Sequence, residues 1–239
     1  MNVAARGMAV DRGQGEVVLL AGERALCDPR GALVLPDAGL LVVSDLHLEK
    51  GSSFARRGAM LPPYDTAATL KRLEEVIADH APRVVVSLGD SFHDGGGAGR
   101  MHELFRASLE AMMAGRDWYW VAGNHDPEAP ANLSGETVRE VALGGLVFRH
   151  EPLRNAGEGE VAGHLHPCAR IVQRGRSVRR RCFASDGRRM IMPAFGAFTG
   201  SLNVLDKAYA GLFRAETLMA YMMGTARVYP IAGTLLRRG

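Results

Sequence analysis

Three short, almost wholly apolar runs, residues 40–44, 84–88 and 118–122, are separated by two stretches of helical period, and this order limits the fold more than any other feature of the chain. Ala68, Leu70, Leu73, Val76 and Ile77 recur at helical spacing, with Asp65 placed to cap the start and Pro82 to close the end, which predicts a helix over 65–80. A second helix is expected over 101–114, stopped by Gly115. A run that is apolar at nearly every position reads as a strand buried on both faces. The β-α-β-α-β order therefore implies a parallel sheet covered by helices, and in open sheets of that kind ligands bind beyond the carboxyl ends of the strands.

The flanks of this unit read differently. Apolar runs at 17–20 and 32–35 precede it, divided by Gly, Pro and Asp as strands are by turns. After Gly144 come short strands at 146–149, 161–163, 169–173, 178–184 and 190–193, which read as a second, mostly antiparallel sheet. Residues 202–214 are expected as loop or short helix, and 218–223 with 228–231 as a closing hairpin. At 239 residues, 47% hydrophobic and 23% charged, the chain has the apolar surface for one domain, expected over 16–239 behind a tail over 1–15 that lacks periodicity. No apolar run reaches the roughly 18 residues of a membrane span, and the first fifteen residues carry Gly, Arg and Asp where a signal peptide is apolar. Cys27, Cys168 and Cys182 are odd in number and lack C-x-x-C spacing, so they are expected as unpaired thiols of a cytoplasmic protein.

Each expected parallel strand ends in polar residues that a core would not tolerate: Asp45-Leu46-His47, Gly89-Asp90, and Gly123-Asn124-His125-Asp126. His150 follows 146–149, and Gly163-His164-Leu165-His166 follows 161–163. Singly, an Asp or His after a strand is an ordinary turn former or cap. Five clusters at five strand ends are a set, and they converge if the two sheets pack face to face. Carboxylate, imidazole and amide oxygen without thiolate suit divalent ions such as Mn2+, Fe2+ or Zn2+. In Asp45-x-His47 and His164-x-His166 the alternate spacing is expected to turn both side chains of a pair to one side of an extended backbone. Gly89, Gly123 and Gly163 stand at sharp strand exits, where a positive φ or a close backbone approach is expected.

In chain order these clusters, DLH, GD, GNHD, H and GHLH, resemble the signature of the calcineurin-like metallophosphoesterases over residues 41–167. Within that superfamily, DLHLEKGSSFARRG, LPPYDT, LGDSFHD and PAFGAFTG are similar to the bacterial ligase-associated DNA damage response endonucleases, the PdeM group. The resemblance implies an α/β fold arranged as a four-layer α/β/β/α sandwich with two divalent ions, Mn2+ ahead of Fe2+ or Zn2+. It implies Asp45, His47 and His166 around one ion, Asn124, His150 and His164 around the other, and Asp90 shared by both. It further implies His125 as general acid, Asp126 hydrogen-bonded to that imidazole, and a hydroxide bridging the ions for in-line attack on phosphorus. Many relatives carry Asp or Asn three residues after the shared aspartate. Here His93 and then Asp94 stand there, which makes His93 a candidate substrate contact.

Charge is uneven behind a modest net +3: eight arginines and one acid, Asp186, fall between Arg170 and Arg189. Such a stretch either guards a sheet edge or tracks a phosphate backbone. Arg170, Arg179 and Arg180, with Arg56 and Arg57 after the first motif, are the candidate substrate contacts. Phe195 and Phe198 read as packing residues or as a stacking edge, His80 as a helix-dipole partner, and His102 as a helix-surface residue. The expected activity is metal-dependent phosphodiester hydrolysis, by a DNA endonuclease of repair. The resemblance implies a DNA ligase and a helicase as functional partners, and no membrane; the oligomeric state is open, a dimer included. One alternative is a small-molecule phosphodiesterase or pyrophosphatase acting on a nucleotide or lipid precursor, against which stands the lack of a large helical insertion to cap a deep pocket. The other is a non-catalytic scaffold of the same fold, against which stands the retention of His125.

Overall fold

A computed structural model describes residues 15–56, 58, 64–128, 130, 132–214 and 216–239. The expected tail as far as residue 14, and Arg57, lie outside the described residues. The first sheet runs in chain order through β1 (Glu16–Leu20), β2 (Glu23–Cys27), β3 (Leu33–Leu35), β4 (Leu40–Val43), β5 (Val84–Leu88), β6 (Asp117–Val121) and β7 (Glu136–Val138). Strands β1 to β4 are antiparallel neighbours, and β4 to β7 are parallel. Between β4 and β5 lie α1 (Lys50–Arg56) and α2 (Tyr64–His80); between β5 and β6 lie α3 (Gly97–Arg100) and α4 (Glu103–Met113). The period of two explains why the central parallel strands β4, β5 and β6 are apolar at nearly every position. Leu41, Val43, Val85, Trp118 and Trp120 pack against Leu70, Leu73, Val76, Leu109 and Met112 of the helices, while Leu40, Val42, Val86, Leu88 and Val121 face the second sheet.

The second sheet holds β8 (Glu140–Leu143), β9 (Leu146–Arg149), β10 (Glu160–Ala162), β11 (Pro167–Gln173), β12 (Arg176–Ser185), β13 (Arg189–Ile191), β14 (Leu202–Asn203), β15 (Met219–Met223) and β16 (Val228–Ala232). Five of its pairings are antiparallel, but β10 lies parallel to both β9 and β13, so the strands that lead into the polar clusters are parallel in this sheet too. Phe148, Val161, Phe183 and Met190 meet the first sheet. Ala162, Cys182, Ala184 and Ile191 face outward under Val204, Tyr209, Leu212 and Leu218. The four layers are present, and the outermost, over the second sheet, consists of turns and a 3-10 turn at Lys207–Tyr209 rather than α-helix. All three cysteines are free and buried.

Several expected local roles differ in the folded chain. Helix α2 begins at Tyr64, so Asp65 sits within its first turn and its Oδ2 accepts the Gly51 N–H at 3.0 Å, fastening α1 to α2. Thr69 rather than the exposed Ala68 lies in the buried stripe. His102 caps α4, its Nδ1 accepting the Leu104 N–H at 3.3 Å. His80 acts through a side chain rather than through the helix dipole: its Nε2 lies 2.9 Å from Oδ2 of buried Asp28, at the turn between β2 and β3. Arg30 gives the same carboxylate three bonds, from its N–H at 2.8 Å, Nε at 2.9 Å and Nη2 at 2.7 Å.

This cluster ties the end of α2 to the antiparallel edge of the first sheet. Burial alone raises the Asp28 carboxyl, but the bonds from Arg30 and His80 hold it well below the usual carboxylate range. A depressed folded pKa contributes stability above the unfolded value of about 3.9 and loses it as pH falls toward the folded value. Asp28→Ala is therefore expected to cost about 2–3 kcal/mol at pH 7, since it takes the acceptor from the buried His80 side chain and from Arg30 Nε and Nη2, leaving Arg30 its bond to Asp79. In urea titrations the gap to the unsubstituted protein should narrow below about pH 4. A gap of equal size at pH 7 and pH 3 would contradict the assignment.

Candidate metal centre

Six residues without the freedom of glycine take left-handed backbone at the strand exits: Asp45 (φ 53), His47 (φ 45), Glu49 (φ 63), Asp90 (φ 46), His164 (φ 66) and His166 (φ 46). Each costs of the order of 1 kcal/mol. The pairs Asp45/His47 and His164/His166 are thus brought to the site by tight left-handed turns, not by alternation along extended backbone. The first two exit loops go on pairing past their strands, with His47 N–H to Asp90 O at 2.9 Å and Leu48 N–H to Ser91 O at 2.9 Å. Of the three exit glycines, Gly89 has a positive φ of 70. A Cβ on Gly123 would run into Asp90 and Asp126, and one on Gly163 into Ser44 and Asp45, so close approach is what these two supply.

The convergence yields two groups of three side chains, Asp45, His47 and His166 in one, Asp90, His150 and His164 in the other, each with ligand atoms within 4.8 Å of one another. In the first, His166 Nε2 lies 3.1 Å from Asp45 Oδ1 and 3.5 Å from His47 Nε2. In the second, His150 Nε2 lies 3.2 Å from His164 Nδ1 and 3.5 Å from Asp90 Oδ1. His150 donates Nδ1–H to the Leu88 carbonyl at 2.8 Å, which in the neutral ring leaves Nε2 as a lone pair aimed into its group. Asp45 is fully buried. Its Oδ2 accepts from Ser44 Oγ at 2.5 Å and from His164 N–H at 3.1 Å, whereas Oδ1 has no hydrogen-bond donor.

The electrostatics favour ligand-ready forms. Burial raises the Asp45 carboxyl, but His166, His150 and Ser44 outweigh it and keep the group ionised. His47 is pushed down to about 4, by burial first and by the neighbouring imidazoles of His166 and His125, against Asp45 and Asp90. His164 is lowered by burial and by His150. Imidazole nitrogens that face one another beside a buried carboxylate oxygen without a donor fit cations placed between them, and the lowering of His47 and His164 favours their ligand form. The residues therefore fit divalent metals, without selecting which metal.

Asn124 is exposed at the rim, where its Nδ2 donates to Glu151 Oε1 at 2.6 Å, and the same oxygen lies 3.9 Å from His164 Nε2. Glu151 was not singled out by sequence, where it appears only as a residue beside His150. His125 is 48% exposed, with Nε2 3.9 Å from Asp90 Oδ2. The expected bond from Asp126 to the His125 imidazole is not formed. His125 Nδ1 instead faces the His93 carbonyl at 3.1 Å, and its backbone N–H donates to Asp90 Oδ1 at 2.9 Å. Asp126 points inward, its Oδ2 accepting the Phe92 N–H at 3.0 Å, and burial, with the nearby Asp90 charge adding to it, pushes its carboxyl up to about 7. His93 stacks between Phe54 and His125, with centroids 5.6 and 5.5 Å away.

The arginines separate by side of strand. Arg170 and Arg179 stand directly opposite in the β11–β12 hairpin. Arg170 bonds Ser177 Oγ and the Arg238 carbonyl, Arg179 the Ser201 carbonyl, and Arg180 and Arg56 are exposed. Arg181, not among the expected contacts, turns inward to the carbonyls of Ala194, Gly196 and Thr199. Phe195 is core and Phe198 is 63% exposed.

A family model of calcineurin-like phosphoesterases matches residues 39–181, a stretch that contains every residue of the two groups. The 3',5'-cyclic adenosine monophosphate phosphodiesterase CpdA of Pseudomonas aeruginosa is 35% identical over 104 residues, 42% of this chain and 35% of that protein, so the chain spans about a third of that relative's length. The crystal structure of Pseudomonas putida nuclease MPE is 28% identical, with a TM-score of 0.69 over 91% of this chain and 100% of that one. Since the family match takes in more than half of the chain, and the fold and the paired groups of ligand-type side chains agree with it, the protein belongs to the calcineurin-like phosphoesterase family.

Proposed function

We propose that this phosphoesterase is a two-metal phosphodiesterase that cuts DNA. The observation that carries the reading is the pair of three-residue groups side by side, with the half-exposed His125 imidazole beside Asp90. In this reading Asp45, His47 and His166 hold one divalent ion, and His150, His164 and Asn124 the other, with Asp90 shared. Ions held there supply Lewis acidity toward phosphoryl oxygens and lower the pKa of water. Glu151, bonded to the Asn124 amide nitrogen, leaves the amide oxygen for a ligand role. The His93 carbonyl takes Nδ1–H of His125 and orients the ring; in the imidazolium form the second N–H, at Nε2, is the proton available to the departing oxygen. Asp126 braces the loop through Phe92 instead of polarising that ring.

For the substrate, the likeness to a nuclease over the whole of its chain supports DNA, as do the exposed Arg176, Arg179 and Arg180 of the β11–β12 hairpin. The similarity to a cyclic nucleotide phosphodiesterase favours a small-molecule reading, but over 42% of the chain only. Mn2+ as resident ion, cooperation with a ligase and a helicase, and a cytoplasmic site of action belong to the same proposal. Among the described residues no helix is long and apolar enough to cross a membrane.

The test uses metal-stripped protein reloaded with Mn2+, Fe2+ or Zn2+, given labelled single- and double-stranded DNA and, separately, cyclic AMP. DNA cleavage with the cyclic nucleotide untouched is expected; the reverse would establish the small-molecule reading, and no hydrolysis with any ion would favour a scaffold. His125→Ala should lower kcat by about 10²- to 10⁴-fold while calorimetry records the same ion stoichiometry. Asp90→Ala, by contrast, should lose bound metal. Equal metal loss in both variants would remove His125 from the acid role.

A further inference from the structure

The segment from Pro193 to Gly200 holds two phenylalanines with opposite fates. Phe195 is fully buried and packs in the core beneath α2, while Phe198, three residues on, is 63% exposed. An exposed ring forgoes the free energy of burial, and a free loop would relieve that by folding the ring inward. This loop is held too firmly for that. Phe195 N–H bonds the Ser44 carbonyl at 2.7 Å and Gly196 N–H the Asp45 carbonyl at 3.1 Å. Arg181 spans the carbonyls of Ala194, Gly196 and Thr199 at 2.9–3.1 Å, and Arg72 takes that of Phe195 at 2.9 Å. Gly196 is also indispensable sterically, since a Cβ there would meet the Leu46 carbonyl.

The segment that presents this ring touches a residue of the metal groups. Phe198 lies two positions after Gly196, so its backbone is within a span of at most about 7 Å of the point that touches Asp45. Two cations bind backbone carbonyls of this segment: Lys50 Nζ donates to the Phe198 carbonyl at 2.7 Å, and Arg179 to the Ser201 carbonyl at 2.8 Å. An exposed aromatic ring on a loop whose backbone binds two cations, near a phosphodiester-cleaving centre, matches one step of a nucleic-acid strand, with a base on the ring and phosphates on the cations. We propose that Phe198 is a stacking ledge for the nucleobase next to the scissile phosphate. This rests on the DNA reading above.

Stacking of one base is worth about 5- to 150-fold in binding. The experiment measures kcat/KM for a short single-stranded oligonucleotide and for its counterpart built of abasic tetrahydrofuran residues, with the unsubstituted enzyme, Phe198→Ala and Phe198→Tyr. The ratio of base-bearing to abasic kcat/KM is expected to fall about 5- to 100-fold in Phe198→Ala, chiefly through KM, and to recover in Phe198→Tyr. A ratio unchanged in Phe198→Ala, or no recovery in Phe198→Tyr, would overturn the ledge while leaving the nuclease reading intact. Failure of the unsubstituted enzyme on both oligonucleotides would overturn the nuclease reading, and the ledge with it. Because the ring is exposed, thermal melting of Phe198→Ala should match that of the parent, which separates the effect from misfolding.

Discussion

The carboxylate of Asp45 is the joint on which the site depends. It is fully buried, and an ionised carboxylate taken out of water costs several kcal/mol unless its lone pairs are met. Here Ser44 Oγ and His164 N–H meet Oδ2, and His166 stands at Oδ1. The same residue gives its backbone N–H to Gly89 and accepts from Gly196. One aspartate thus joins the exit of β4 to those of β5, β10 and β13. The apolar contact of Leu88, Phe148 and Phe183 between the sheets is strong but non-directional. Polar bonds at one carboxylate fix which loops meet.

Holding ionisable groups there has opposite outcomes according to the cations within reach. Asp28 and Asp126 are both buried. Asp28 bonds Arg30 and His80 and is held well below the usual range, whereas Asp126 bonds backbone N–H groups, lies near the Asp90 charge, and is pushed up to about 7, chiefly by burial. A carboxyl in that second state is a poor counter-charge for an imidazolium. The His93 carbonyl, oriented by the stack of Phe54, His93 and His125, provides a partner for His125 that does not need to be ionised.

The parallel core and the polar strand exits were legible because each rests on residue types with few other uses: long apolar runs, and carboxylate or imidazole at their ends. Strand β2 was not, because its inward residues, Ala25 and Cys27, are small and lie among charges. Helix α1 has only seven residues, begins Lys-Gly-Ser-Ser, and is held by the bond from Gly51 to Asp65 rather than by an apolar stripe. The direction of Asp126 was misjudged because adjacency within a turn does not say where a side chain points. Arg181 was legible in principle. Counting back by two from buried Phe183 puts it on the face toward the first sheet, while Arg180 falls on the other with Cys182 and Ala184.

Placement of the remaining arginines bears on the two readings of the basic stretch, an edge guard and an anion-seeking surface. Arg170 and Arg179, directly opposed across the β11–β12 hairpin, would repel at close range. Their guanidiniums part, one to the Arg238 carbonyl and one to the Ser201 carbonyl. Carbonyl acceptors orient a guanidinium without cancelling its charge, as carboxylates do for Arg188 through Glu158 and for Arg189 through Glu160 at the far end of β12. The hairpin end near the Phe198 loop therefore keeps its positive field, and the other end does not. An edge guard would need only charge of either sign spread along the strand. Retention of field at the end toward the Phe198 loop is the arrangement that the proposed DNA substrate would require.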